Sequence, residues 1–196
     1  ALSNAESRKT SLSETSVGFA KLSNSRTTVI IDAAPPPMGK KAVKADASTL
    51  AFEMVSGQRR VFTSCGPGYL FGSDLSLVGR QTSSHCAVYI EDRNSSEFSS
   101  VEGWFKTSKK MIINGPSTVP KEISNHEGAG IFEGAHDGYV QSYGLTHVRK
   151  LKLSQDGYTF EGEDLMIAIE DSHKRQFHKV SKKNRNDELS VNAAFH

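Results

Sequence analysis

The sequence predicts an all-β fold, a two-layer antiparallel β-sandwich built from many short strands. Three observations carry this expectation. Short segments alternate apolar and polar residues with the period of two that a half-buried strand requires. Gly, Ser and Asp punctuate them at close intervals. No segment sustains a 3.6-residue apolar period over three turns, which leaves a sandwich as the simplest way to bury the apolar faces.

Taken in order, residues 1–15 are rich in Ser, Asn, Lys and Glu without apolar periodicity and read as a flexible lead-in, followed by one domain over 16–196. Val17–Leu22 alternates as a strand does, Thr27–Asp32 is a β-branched run, and Asn24-Ser25 is the turn between them. Pro35-Pro36-Pro37 cannot donate to a ladder and is expected to carry the chain to a second sheet. Leu50–Val55 and Arg60–Thr63 flank Ser56-Gly57 as a hairpin, after which a Gly- and Ser-dense loop delivers His85 to a further strand ending at Ile90.

Glu91–Asn94 reads as a loop, and Phe98–Ile113 as two short strands, carrying Trp104-Phe105 and Met111–Ile113, around a solvated turn bearing Lys106, Lys109 and Lys110. Thr118-Val119, Gly130–His136 and Leu145–Leu153 continue the series, the last with mixed alternation that suits a strand with neither face dry. Asp156-Gly157 between Leu153 and Tyr158 is the clearest hairpin signal. Met166–Ile169 and Gln176–Val180 read as further strands, and 181–196 as a strand without its partner.

The totals exclude several classes. With 36% apolar and 23% charged residues in 196, the chain supports one sizeable core. A formal charge of +2 gives no argument for nucleic acid. No apolar run approaches the roughly 20 residues of a membrane span, and Ala1–Ser16 lacks the apolar core of a signal peptide. Cys65 and Cys86 fit either a bridge between neighbouring strands or two buried thiols. Strong zinc, calcium, phosphate-loop and serine-nucleophile patterns are absent from the sequence.

His85 is the first candidate for chemistry, because a Gly/Ser loop precedes it and a strand follows; an ordinary strand-end histidine fits the same pattern. His136-Asp137-Gly138-Tyr139 combines an imidazole, a carboxylate and an aromatic ring suited to sugar contact, with His136 and Tyr139 as the binding residues; an Asp-Gly turn is the plainer alternative.

Thr27–Pro37, Ala47–Glu53, Cys65-Gly66, Ser84-His85, His136–Tyr139 and Gly144–Leu153 together resemble, in order and spacing, the C-terminal β-domain of the bacterial heparinase II/III-like proteins, over about Val17–Val180. The resemblance implies a parent protein with an N-terminal helical toroid, absent from this chain, and β-elimination of uronate-containing acidic polysaccharide in the periplasm or cell envelope. It implies that helical-domain Tyr and Asn act with a His of the β-domain. Aligned on Leu50-Ala51-Phe52, the family's catalytic His falls at Lys44, its zinc-binding His at Asp46, its zinc carboxylate at Ser64 and its third zinc ligand at His85. His85 is then the catalytic candidate, Lys44 a substrate-binding point charge, and Asp46 with His85 the remains of a degenerate zinc site, two ligands where zinc wants about four. No other cofactor is expected. The expected function is the sandwich portion of a polysaccharide lyase-like protein, inactive without its helical domain. The alternative is a non-catalytic carbohydrate-binding or envelope-assembly module; oligomeric state is left open.

Overall fold

The computed structural model describes residues 14–66, 68–72, 75–102, 108–182 and 188–196. Two antiparallel sheets face each other. The first has five strands in sequence order: β1 (Glu14–Ser16), β2 (Phe19–Asn24), β3 (Thr27–Asp32), β4 (Phe52–Ser56) and β5 (Arg59–Phe62). The second runs β12-β11-β10-β9, from β12 (Phe160–Ile167) and β11 (Leu145–Leu153) to β10 (Ala129–Tyr139) and β9 (Lys121–His126). Two further pairs, β6 (Val88–Ile90) with β13 (Val191–Ala193) and β7 (Glu97–Glu102) with β8 (Ser108–Asn114), extend the body. The all-β sandwich expected from the alternation is the observed architecture.

The core follows from period two. Ala20, Leu22, Val29, Ile31, Phe52 and Met54 turn one face of the first sheet onto Phe132, Leu151 and Leu153 of the second. At one end the layers are sewn together by the β2–β3 turn: the Asn24 side-chain amide donates to the carbonyls of Gly128, Leu153 and Ser154, and the Thr27 hydroxyl donates to the carbonyl of Gly157 at 2.7 Å. Gly157 has φ 73, and a Cβ there would lie 2.4 Å from the Asn24 carbonyl, so the Asp-Gly turn is held to glycine on both counts.

Several local expectations change. After Pro35–Pro37 the chain does not cross to the second sheet: a 3-10 turn over Gly39–Lys44 and a left-handed residue, Leu50 (φ 62), bring it back to pair β4 beside β3. Gln176–Val180 is not a strand but part of α2 (Asp171–Ser181), which follows the single-turn α1 (Val140–Tyr143) and whose Phe177 and Val180 pack on Ile90, Tyr139, Tyr143 and Leu145. The sequence 181–196 does find a strand partner, since β13 pairs with β6. Thr118-Val119 lies outside any strand, and Lys121–His126 forms β9 instead. Met166-Ile167 ends β12 rather than starting a new element. The inward face of β11 is dry, with Leu145, His147, Arg149, Leu151 and Leu153 all buried. Glu14–Ser16 pairs with β2, inside the end of the expected lead-in, while the rest of that stretch, Trp104-Phe105 and Lys106 lie outside the described residues. The thiols are neither bridged nor both buried: Cys65 is exposed and Cys86 buried. Among the described residues no helix is long and apolar enough to cross a membrane.

Candidate functional site

The outward face of the first sheet carries a cleft of about 520 Å³. Its floor is set by strand register. Phe19 on β2 stands opposite Asp32 on β3, and Ile30 on β3 opposite Glu53 on β4, so one aromatic, one aliphatic and two acidic side chains share the face. The loop after the 3-10 turn contributes Asp46 and Ser48, and the segment after β5 contributes Ser64 and Gly66, with His85 completing the wall. A second hollow of about 260 Å³ shares Phe19, Asp32, Asp46 and Ser48 and runs on to Pro35–Pro37, so the two form one elongated groove.

The groups here are electrostatically unusual. Asp32 is pushed up to about 6, chiefly by burial and further by Asp46, against the opposing effects of a 2.6 Å hydrogen bond from the Ser48 hydroxyl, a backbone hydrogen bond at Ala34 and the charge of Lys121. Burial also raises Asp46, although Arg80 stands 3.7 Å away. Arg80 itself is spent largely on carbonyls, donating to those of Ala42, Ala45 and Lys110. Burial holds the His85 imidazole down at about 4 in spite of the pull of Glu53, so at neutral pH the ring is uncharged. Its Nδ1 lies 3.1 Å from the Ser64 hydroxyl, whose own backbone N–H donates to Glu53 Oε1 at 3.2 Å. Its Nε2 is buried with no hydrogen-bond partner.

Asp46, Ser64 and His85 therefore meet on one cleft, as their motif positions imply. Lys44 does not join them: it is exposed at the end of the 3-10 turn and forms no part of the lining. His136 and Tyr139 are each 1% exposed, and the structure gives them interior partners instead of a surface. Tyr139 donates its hydroxyl to the Val88 carbonyl at 2.8 Å. The register shift between His136 and Tyr139 makes this segment a bulge inside β10, neither a sugar platform nor a turn. Asp137 accepts from the backbone and hydroxyl of Ser117, securing the preceding loop.

A buried polar chain passes unannounced by any motif. The Gly138 N–H donates to His136 Nδ1 at 3.1 Å, which leaves the proton on Nε2 to be donated to His147 Nδ1, also 3.1 Å away. His147 then donates from Nε2 to Asp164 at 2.7 Å. Arg149 closes the chain with 2.7 and 2.9 Å bonds to the same carboxylate. Burial lowers both imidazoles below their ordinary value. Burial alone would raise Asp164, but the bonds and charges of His147 and Arg149 outweigh it and hold the carboxyl far below the usual range. One observable sequence signal existed: His147 and Arg149 occupy inward positions of an alternating strand.

The residues present do not fit a zinc ion. Among the described residues no three His, Cys, Asp or Glu side chains converge as a metal would need. Ser64 supplies no carboxylate, and His85 Nδ1 is turned to it.

A family model described as "Heparinase II/III-like, C-terminal" matches residues 8–196. The chain is 28% identical over 153 residues to FtsZ-localized protein C of Caulobacter vibrioides (strain NA1000 / CB15N), covering 78% of this chain and 26% of that protein. It thus spans about a quarter of the length of the curated relative it matches. No solved structure matches.

Proposed function

This chain belongs to the heparinase II/III-like family, as its C-terminal β-domain, and from that premise we propose that it is the glycan-holding module of a larger lyase-like protein of the cell envelope that does not itself perform elimination. The observation that carries this reading is the lining of the groove: Asp32, Asp46 and Glu53 with a neutral His85, and no Lys, Arg or Tyr among the described residues. β-Elimination beside a uronate needs a group that neutralises the sugar carboxylate, a base matched to working pH and an acid for the leaving oxygen. Three carboxylates repel a uronate, and an imidazole held at about 4 is too weak a base for a carbon acid at neutral pH. The acidic polysaccharide that the family suggests is thus poorly matched to this wall, whereas carboxylates and hydroxyls beside an exposed Phe19 suit the hydroxyls and C–H face of other sugars.

The relative's printed name ties that protein to FtsZ, and by likeness to it we assign the parent protein a role in envelope assembly. A second reading, a lyase completed by residues of a helical domain, is favoured by the family match alone. The test is incubation of the full parent protein and of this chain with a panel of neutral, amino and uronate polymers. Retention of a glycan without release of unsaturated uronate, read by ultraviolet absorbance, is expected. Release of that product by the parent protein returns the second reading, and failure to retain any glycan leaves only a packing role for the domain.

A further inference from the structure

We propose that the groove receives a protonated amine carried on a saccharide, a free amino sugar, with Asp46 and Glu53 facing the ammonium and His85 facing a neighbouring hydroxyl. This rests on the glycan-holding reading above and names its ligand class. Four features of the groove lead there.

Its charged lining is of one sign. Asp32, Asp46 and Glu53 are the charged side chains of the lining among the described residues; Lys21 lies beyond Ile30 in the same cross-strand row and is not among the lining residues. The apparent exception, Arg80 beside Asp46, has its guanidinium bonded to carbonyls of the neighbouring loop and strand. Second, the carboxylates do not close on a point. Since no metal-holding group of three exists among the described residues, the lining does not offer the converging oxygens a divalent ion demands, whereas an ammonium is a point charge attracted at longer range and needs only one carboxylate in hydrogen-bond contact.

Third, His85 is 5% exposed, sits in the wall, and carries a buried Nε2 with no partner. Leaving a buried nitrogen unpaired costs free energy that a ligand contact would recover. A sugar hydroxyl both donates and accepts, so once the ring tips slightly toward the groove a hydroxyl satisfies this nitrogen whichever tautomer the Ser64 contact selects. Fourth, Phe19 and Ile30 are 51% and 39% exposed on the same floor and offer an apolar platform for a pyranose ring; the Phe19 ring face also attracts a cation. The continuation past Phe19 to Pro35–Pro37 gives a second unit of the same polymer somewhere to lie. An N-acetylated sugar would keep the platform and the hydroxyl contact and lose the charge; a uronate would reverse it.

The experiment is calorimetric titration of the 196-residue chain in mildly acidic buffer with three probes: a glucosamine oligomer, its N-acetylated counterpart and an alginate oligomer. The glucosamine oligomer is expected to bind about tenfold or more tighter than the acetylated one, roughly the weight of one well-placed charge, with no binding of alginate. Asp46→Asn and Glu53→Gln should each weaken the glucosamine oligomer about three- to tenfold, while Glu122→Gln, on the remote strand β9, leaves it unchanged. Thermal unfolding of each variant verifies the fold. Equal binding of the acetylated oligomer, or binding indifferent to both Asp46→Asn and Glu53→Gln, overturns the amine assignment and leaves the glycan-holding reading standing. Preference for alginate overturns the assignment as well. Absence of binding by every oligomer removes both.

Discussion

Arg149 reaches across the sandwich and donates to the carbonyl of Leu50 at 2.6 Å, and Leu50 is a fully buried residue in the left-handed region, with φ 62. The same nitrogen donates to the Cys86 carbonyl at 2.8 Å. A residue of β11 thus fixes two backbone points immediately before Ala51 and immediately after His85, both flanking the acidic groove. A leucine does not adopt positive φ unaided. The guanidinium, directed by Asp164 from the opposite side, helps hold it there.

Replacing Arg149 by Met should therefore destabilise the domain by about 3–5 kcal/mol, the usual cost of leaving one partner of a buried ion pair alone. Urea denaturation measures this. The double variant Arg149→Met with Asp164→Asn should recover part of the loss, because the stranded charge is then gone, and a double variant no better than the single would show that the carbonyl contacts dominate.

The acid response has a defined sign. His85 is held at about 4, and His136 and His147 are held below their ordinary value, all chiefly by burial. A folded imidazole pKa below the unfolded one makes the unfolded chain take up more protons. Stability from these rings is thus complete above about 6.5 and is lost as pH falls toward the folded values. Asp32 runs the other way: raised to about 6 from 3.8, it costs stability above about 6, and the cost fades as pH falls toward 3.8. Melting temperature should fall between neutral pH and pH 4 because three lowered imidazoles oppose two raised carboxyls, Asp32 and Asp46. Asp32→Asn should raise stability at neutral pH by roughly 1–3 kcal/mol and add nothing near pH 4, an outcome read from paired thermal melts.

Asn24→Ala removes the amide that serves the Gly128, Leu153 and Ser154 carbonyls. A loss of about 1–3 kcal/mol is expected from the unsatisfied buried groups. Hydrogen exchange should locate the loosening at the β2–β3 and β11–β12 turns, leaving β6 and α2 protected.

Thiol labelling separates the two cysteines. Cys65 is exposed, whereas Cys86 is buried with its thiol pushed up chiefly by burial. A disulfide-exchange reagent should titrate one thiol quickly in the native protein and the second only in denaturant; immediate reaction of both would contradict the burial of Cys86.

The hairpins β2–β3, β4–β5 and β11–β12 were legible because alternation and turn residues are local signals, and Ser-Gly and Asp-Gly sit where those turns occur. Helix α2 was not, since its inward residues Phe177 and Val180 are two in a polar segment; the available cues were Asp171 in its first turn and His178 and Lys179 in its last. Strand β9 was hidden because it is an almost fully exposed edge with Ile123 as its contact to the core. The return of the chain to β4 depends on Leu50, whose left-handed backbone no residue preference announces. At the groove, Asp46, Ser64 and His85 could be found through the register of one motif. Asp32 and Glu53 could not, because they meet Phe19 and Ile30 only through pairing between strands. His136 and Tyr139 were polar residues whose partners are fixed by the fold: His147 stands opposite His136 only through the β10–β11 register, and the Val88 carbonyl lies far from Tyr139 in sequence.

The Asn24 clasp and the Arg149 clasp pin the first sheet to the second at separate places. A floor secured twice has no hinge about which to yield. Ligand capture in the groove is then a single docking event onto a rigid mould, and in rapid-mixing kinetics its observed rate should climb in proportion to ligand concentration without reaching a plateau.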